Sequence, residues 1–193
     1  MKEEGSNTRT AAMIEGLPWQ EIEQEALEHF RALLKIDTTN PPGNELEAVA
    51  YLRKVLKKEK IATEVFETGP GRGNLVARLP GSGARKPLLL NAHLDVVPAD
   101  ADYWRYPPFS ATIADGYVWG RGAIDMKNMA AMSLMTLLVA KRFDLPRSRD
   151  LVFCAVADEE AGGALGSQWL VREKPDRIAA EYALNEVGGF TMT

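Results

Sequence analysis

The chain has 193 residues, of which 46% are hydrophobic and 26% are charged, and its formal net charge is −4 at pH 7. This length predicts one domain or slightly more, the acidic balance excludes a basic nucleic-acid-binding surface, and no apolar run approaches the ~20 residues of a membrane span. The single cysteine, Cys154, excludes an internal disulfide. We therefore expect a globular, cytoplasmic protein that binds neither nucleic acid nor a membrane.

The first part of the chain predicts a lead-in, two helices and a loop between them. Residues 1–16 carry charges without an apolar stretch of signal-peptide length, and we expect a flexible lead-in there. Apolar residues at helical spacing follow Pro18 and predict a helix that ends near Asp37. Consecutive prolines make residues 38–43 a loop, and a second amphipathic helix is predicted over residues 45–60.

Strand and helix patterns then alternate along the chain. Period-two alternation and short apolar runs predict strands at residues 63–66, 74–79, 88–90, 112–114, 117–119, 151–157 and 182–184. Helical spacing predicts helices over residues 126–142 and 164–173. This order predicts an α/β fold of three layers, α/β/α, with helices on both faces of a mixed but largely parallel central sheet.

Acidic residues and a histidine follow three strands that we expect to be buried in the sheet. The sets are His93 with Asp95, Glu159 with Glu160, and Glu186. Because open α/β sheets bind ligands beyond the carboxyl ends of their strands, we expect these side chains to share one site. Carboxylates placed together repel and raise one another's pKa. A divalent cation such as Zn²⁺, which binds imidazole nitrogen and carboxylate oxygen, removes that cost.

Each of these groups also has an ordinary structural explanation when it is taken alone. Asp125 precedes a predicted helix and fits an N-cap, and Glu159 and Glu160 fit an acidic loop before a helix N-terminus. In the His-x-Asp pair, alternate side chains at a strand end share a side. Asp95 can therefore accept the second ring N–H of His93 and hold its tautomer. The metal-site interpretation depends on the groups occurring together.

Four segments, in order along the chain, resemble the aminoacylase/glutamate carboxypeptidase family of dinuclear zinc hydrolases, which also includes succinyl-diaminopimelate desuccinylase and acetylornithine deacetylase. The segments are residues 91–98 (NAHLDVVP), 120–127 (GRGAIDMK), 158–163 (DEEAGG) and 185–189 (NEVGG). Residues 38–45 and 108–110 fit the same family. The resemblance implies a zinc-exopeptidase-like fold.

The resemblance also implies a site with two zinc ions, for which Co²⁺ or Mn²⁺ could substitute. By their positions in the motifs, His93 and Glu186 resemble the ligands of one ion. Asp125 resembles the ligand that bridges both ions, and Glu160 resembles a ligand of the second. The peptide after the bridging aspartate is often cis in this family, which implies a cis bond between residues 125 and 126.

The chemistry that the resemblance implies is hydrolysis of an amide bond in a small peptide or an N-acyl amino acid. Glu159 resembles the general base that takes a proton from the attacking water and returns it to the leaving nitrogen. Asp95 resembles the residue that orients His93. Peptidase and deacylase activities both stay open at this point.

Members of this family are longer than the chain. Residues 17–193 resemble the N-terminal part of the catalytic domain, without the lid and dimerisation domain or the C-terminal segment that supplies a second histidine ligand. The resemblance implies that the complete protein is a homodimer through the lid and that this chain alone has low or no activity. The competing hypothesis is a non-catalytic metal-binding or interaction fragment. A nucleotide-binding Rossmann domain is disfavoured, because no Gly-x-Gly-x-x-Gly follows the first strand.

Overall fold

The computed structural model describes residues 11–186. Its helices are α1 (Trp19–Leu34), α2 (Glu45–Lys58), α3 (Lys127–Arg142), α4 (Ser167–Glu173) and α5 (Pro175–Ile178). Its strands are β1 (Ala62–Gly69), β2 (Arg72–Leu79), β3 (Leu88–His93), β4 (Thr112–Ala114), β5 (Tyr117–Trp119), β6 (Leu151–Val156) and β7 (Tyr182–Leu184). Among the described residues, no helix combines the length and the apolar character that crossing a bilayer requires.

A five-stranded mixed sheet forms the centre of the molecule, in the order β1-β2-β6-β3-β7. The pairs β1–β2 and β2–β6 are antiparallel, whereas β6–β3 and β3–β7 are parallel. Both antiparallel pairs involve β2, which runs opposite to its two neighbours, β1 and β6. The parallel part brings the carboxyl ends of β6, β3 and β7 to the same edge. The two strands predicted at residues 112–114 and 117–119 form a separate hairpin, β4 and β5, which turns at Asp115 and Gly116.

Helices cover both faces of the sheet, which confirms the predicted three-layer α/β fold. Alternate residues of a strand face opposite sides. Leu75 and Phe153 therefore lie in the main core with α1, α2 and α3. Val76 and Cys154 lie on the other face, in a smaller core that includes Leu170 of α4.

The predicted helices are present, but several end earlier or begin later than expected. The first helix was expected to end near Asp37, and α1 ends at Leu34. A buried lysine side chain satisfies the backbone at this helix end. Lys127 Nζ donates to the backbone oxygen of Leu33 in the last turn at 3.1 Å and to that of Ile36, just beyond the helix, at 2.7 Å. The second helix ends at Lys58 and not at residue 60.

The helix predicted over residues 164–173 is α4, which begins at Ser167. Gly162 and Gly163 both have positive φ angles, which makes the preceding segment a turn. In this turn the Gly166 N–H donates to the Gly163 oxygen at 3.1 Å.

Part of the segment expected to be a flexible lead-in, residues 1–16, is helical in the structure. Residues 1–10 lie outside the described residues, but residues 11–15 are helical. The Trp19 indole N–H donates to the Ile14 backbone oxygen at 3.0 Å, and Leu17 packs against the main core. These contacts hold the segment against α1.

The strand at residues 182–184 is present as β7, but it is exposed, whereas a buried strand was expected. Tyr182 is 60% exposed and Leu184 is 54% exposed. The reason is its place at the end of the strand order, where it pairs with β3 from Leu88↔Tyr182 to Leu90↔Leu184. A short apolar run indicates a strand without indicating whether that strand is central or at an edge.

Candidate metal centre

The order of the parallel strands places the predicted site residues together. His93 is the last residue of β3. On one side of β3, β6 leads into the acidic loop, which we define as residues 158–163. On the other side, β7 leads to Glu186. His93 therefore lies between the acidic loop and Glu186.

Three of these side chains form a tight cluster of possible metal ligands. One ligand atom from each of His93, Asp125 and Glu186 lies within 4.8 Å of the other two. His93 Nε2 is 2.8 Å from Asp125 Oδ1 and 3.7 Å from Glu186 Oε2. His93 is 1% exposed, whereas the Asp125 side chain is 61% exposed. The cluster is thus buried at His93 and open to solvent at Asp125.

Glu159 and Glu160 flank this cluster. Glu159 Oε2 lies 3.8 Å from His93 Nε2, and Glu159 lines a cavity of about 260 Å³ beside the cluster together with His93 and Glu186. Glu160 lies outside the three-residue cluster found among the described residues. Burial and then the charge of Asp125 raise the pKa of Glu160, so the two carboxylates act on each other.

The ring of His93 is oriented by the backbone of Asp95 more closely than by its carboxylate, which corrects the predicted contact. His93 Nδ1 is 2.9 Å from the Asp95 backbone oxygen and 3.5 Å from Asp95 Oδ1. Both ring nitrogens therefore face oxygen acceptors. Burial alone would lower the pKa of His93, but Asp95, Asp125 and Glu186 raise it to about 9.

The Asp95 carboxylate, which is fully buried, holds the acidic loop instead. Oδ1 accepts the Glu159 backbone N–H at 3.0 Å, and Oδ2 accepts the Glu160 backbone N–H at 3.1 Å. Asn40 Nδ2 also donates to Oδ2 at 2.8 Å. Burial acts to raise the pKa of Asp95, but these donors and His93 bring it below its ordinary value.

The donor set fits a divalent cation such as zinc. Zn²⁺ binds one imidazole nitrogen and carboxylate oxygens readily, and Co²⁺ and Mn²⁺ accept similar ligands. Burial, and then Asp125 and Glu159, raise the pKa of Glu186. This is the mutual penalty that a cation would remove. The bond between Asp125 and Met126 is cis, as the resemblance implies, and Asp125 does not cap α3, because the N-cap residue is Met126.

A buried polar network behind the cluster was not predicted. It joins Asn40, Glu45, Arg72 and Asp158, each at most 7% exposed. Asn40 and Glu45 lie in the segment at 38–45 that carried part of the resemblance, but no sequence pattern gave them a partner. Arg72 carried no signal, because its partners lie far from it in the sequence.

Sequence comparison finds relatives over most of the chain. The profile of "Peptidase family M20/M25/M40" matches residues 89–191. An N-formyl-4-amino-5-aminomethyl-2-methylpyrimidine deformylase of Halalkalibacterium halodurans is 34% identical over 145 residues, which cover 73% of this chain and 34% of the relative. Aminoacylase-1 of Sus scrofa is 34% identical over 172 residues, which cover 86% of this chain and 42% of the relative. The chain thus spans about two fifths or less of the length of these relatives.

Comparison with solved structures finds the same fold. Human carnosine dipeptidase 1 superposes with a TM-score of 0.73 at 22% sequence identity, over 85% of this chain and 39% of that protein. At this level of identity the match supports the fold alone.

Proposed function

The chain belongs to peptidase family M20/M25/M40, and from that premise we propose that it forms part of a metal-dependent hydrolase that cleaves an amide bond. The observation that carries the proposal is the convergence of His93, Asp125 and Glu186, with Glu159 beside them, at the carboxyl edge of the sheet. These groups come from separate segments of the chain, and the strand order brings them together.

The proposed metal ligands are His93, Asp125, Glu160 and Glu186, and the proposed metal is zinc, with two ions in a complete site. A bound zinc ion would polarise the amide carbonyl and lower the pKa of water at the site. The open side of the cluster and the neighbouring cavity leave room for water and substrate.

Glu159 is the proposed general base. Its carboxylate faces the cavity 3.8 Å from His93 Nε2, and its side chain is 48% exposed. Glu159 would accept a proton from the attacking water and return it to the leaving nitrogen. Asp95 is the proposed positioning residue, since it contacts His93 and the backbone of Glu159 at once.

The proposed substrate is a small peptide or an N-acyl amino acid. The names aminoacylase and deformylase belong to enzymes that remove acyl or formyl groups, and the name dipeptidase belongs to an enzyme of peptides. Peptidase and deacylase activities stay equally open for this chain. Three further statements stay predictions. Residues 17–193 are the N-terminal part of a catalytic domain, the complete protein is a homodimer through a lid domain, and it is cytoplasmic.

A second candidate is a chain that binds metal without catalysis. It is favoured by one observation, namely that Glu160 lies outside the tight three-residue cluster among the described residues. A site with one group of three possible ligands fits metal binding better than two-metal hydrolysis.

The experiment that tests the proposal measures zinc bound per chain after equilibrium dialysis, together with hydrolysis of N-acetyl-methionine and of a dipeptide. The His93→Ala variant should bind zinc at least 10-fold more weakly, because the imidazole is the buried ligand of the cluster. His29→Ala is the matched control, since His29 is the other of the chain's two histidines and pairs with Tyr51 on the α1–α2 side. Its affinity should equal that of the unmodified chain.

Two results would contradict parts of the proposal. Zinc binding that is absent, or that is equal in the His93→Ala variant, would reject the site. The non-catalytic candidate would be favoured if the chain binds zinc but shows no hydrolysis, or only hydrolysis that the Glu159→Gln substitution does not reduce.

A further inference from the structure

Three carboxylates are buried close together behind the metal cluster. Glu45 and Asp95 are fully buried, and Asp158 is 6% exposed. A buried carboxylate is costly unless a cation or several donors compensate its charge. Asn40 Nδ2 donates to both Asp95 and Asp158, and Glu45 and Asp158 are the two carboxylates that also pair with a buried cation.

Arg72, which is 7% exposed, provides that cation. Its Nε is 2.8 Å from Glu45 Oε2, and one terminal nitrogen is 2.9 Å from Asp158 Oδ1. The other terminal nitrogen donates to Asn40 Oδ1 at 3.2 Å and to the Pro42 backbone oxygen at 2.9 Å. The planar fork of a guanidinium suits several acceptors at fixed angles, which an ammonium group cannot contact together.

Two chains of contacts lead from Arg72 to the acidic loop. The direct one passes through Asp158, the first residue of the loop. The indirect one passes through Asn40, whose amide donates to Asp95 Oδ2 at 2.8 Å, and the Asp95 carboxylate accepts the backbone N–H groups of Glu159 and Glu160. Both routes end at the backbone that carries the two glutamates.

The backbone at Asp158 needs such support. Its φ angle is +69°, in the left-handed region that residues with a Cβ adopt at a cost. The Asp158 carboxylate accepts the Leu165 N–H at 3.0 Å in addition to its ion pair with Arg72. These contacts fix the turn that directs Glu159 towards the cavity.

We propose that Arg72 is a positioning residue that sets the placement of Glu159 and Glu160 through Asp158 and Asn40. It touches neither the cavity nor the ligand cluster, so it acts through the loop. The consequence for metal binding rests on the proposed function, whereas the consequence for the loop does not.

The test compares the chain with its Arg72→Met and Arg72→Lys variants by two measurements. Hydrogen exchange of the metal-free protein reports on the Glu159 and Glu160 amides, which donate to Asp95. Titration with Zn²⁺ alone gives the metal affinity. We expect faster exchange at these amides, with exchange in α3 unchanged. We also expect a zinc affinity about 10- to 100-fold lower, the range found when residues that orient metal ligands are removed.

Arg72→Lys keeps the proposal testable if Arg72→Met does not fold. Lysine retains the charge that compensates Glu45 and Asp158 but cannot span both carboxylates, Asn40 and the Pro42 oxygen. We expect Arg72→Lys to fold, with faster exchange at the loop amides.

The matched control is Arg142→Met. Arg142 also contacts two carboxylates, Glu25 and Glu59. It is the last residue of α3, roughly 22 Å along the helix axis from the first residue, which lies next to the metal cluster. This variant should lose stability and leave loop exchange and zinc affinity unchanged.

Folded Arg72 variants with unchanged exchange at Glu159 and Glu160 would overturn the proposal, even if zinc affinity fell for another reason. If the unmodified chain binds no zinc, the proposed function fails, and the exchange measurement still decides the role of Arg72.

Discussion

Asp95 contributes to the site in a way that sequence position alone does not reveal. The His-x-Asp spacing predicts that the Asp95 carboxylate accepts a ring N–H of His93, but in the structure His93 Nδ1 lies closer to the Asp95 backbone oxygen, at 2.9 Å, than to Oδ1, at 3.5 Å. The spacing does not predict that the carboxylate accepts the amides of Glu159 and Glu160, since those residues are more than sixty positions away. The carboxylate is a connection between two segments that each carry site residues.

The Asp95→Asn substitution tests this role. An asparagine presents one NH₂ group where the carboxylate had an acceptor, so one donor of the network faces another donor. We expect a loss of about 1.5–3 kcal/mol in the free energy of unfolding, the usual contribution of hydrogen bonds to charged groups, and a fall of about 10-fold or more in zinc affinity. Urea denaturation and zinc titration measure the two effects.

Asp150→Asn is the control for this substitution. Asp150 also accepts a backbone N–H, from Gly81 at 2.8 Å, and pairs with Arg78, but it precedes β6 at the opposite end of the strand from the acidic loop. It should lose stability without a change in zinc affinity. Equal zinc affinities in the Asp95→Asn variant and the unmodified chain would contradict the role given to Asp95.

At the scale of elements, three helices on one face of the sheet are joined by a single arginine. Arg142, the last residue of α3, donates to Glu25 of α1 at 2.9 Å and to Glu59, at the end of α2, at 3.0 Å. The hydrogen bond from Arg142 is the largest cause that lowers the pKa of Glu25. Apolar periodicity predicts each helix, but it does not identify a polar contact between their ends.

The contribution of this contact should depend on pH. Because the folded-state pKa of Glu25 is lowered from its ordinary value of 4.5, its stabilisation is fully present above that pH and is lost as the pH falls through the lowered value. We expect Arg142→Met to lower the free energy of unfolding by about 1 kcal/mol at pH 7, as for a partly exposed ion pair. The difference should shrink below pH ~4.5.

Urea denaturation at pH 7, 5, 4 and 3 checks this prediction. Arg105→Met is the control, because Arg105 pairs with Asp115 where both side chains are more than half exposed, and it should change stability little at any pH. A difference for Arg142→Met that does not depend on pH would assign its effect to lost packing.

At the scale of the whole molecule, one edge of the sheet is exposed. Tyr182 and Leu184 of β7 are each more than half exposed. On the opposite face of this strand, Val171 of α4, which is also more than half exposed, lines a cavity together with Leu89 and Ala183. An exposed apolar edge strand promotes pairing with other chains.

We expect Leu184→Lys to reduce self-association of the chain, because a charged side chain on an edge strand disfavours pairing between edges. Sedimentation velocity over a range of protein concentrations measures the change. Met132→Lys is the control, since Met132 is 51% exposed on α3, away from the strand edge. Equal reductions in both variants would indicate a general effect of charge and contradict an association through β7.

Much of the fold and of the site could be predicted from the sequence, for a physical reason. Strand and helix periods are local, and the carboxyl ends of parallel strands must meet at one edge, so the convergence of His93, the acidic loop and Glu186 follows from the order of elements. The exposure of β7 and the partners of Arg72 depend on which strands become neighbours. Which strands become neighbours depends on contacts between segments that are distant in the sequence, and no local pattern encodes those contacts.

The short pairing of β7 has a consequence for the lifetime of a bound metal. An outer strand held by three paired residues opens at a lower free energy than the buried strands beside it. Fraying of β7 would carry Glu186 away from the cluster, while His93 is buried at the end of β3. At the metal site proposed above, we therefore expect release of the ion to begin with the loss of Glu186, before the core unfolds.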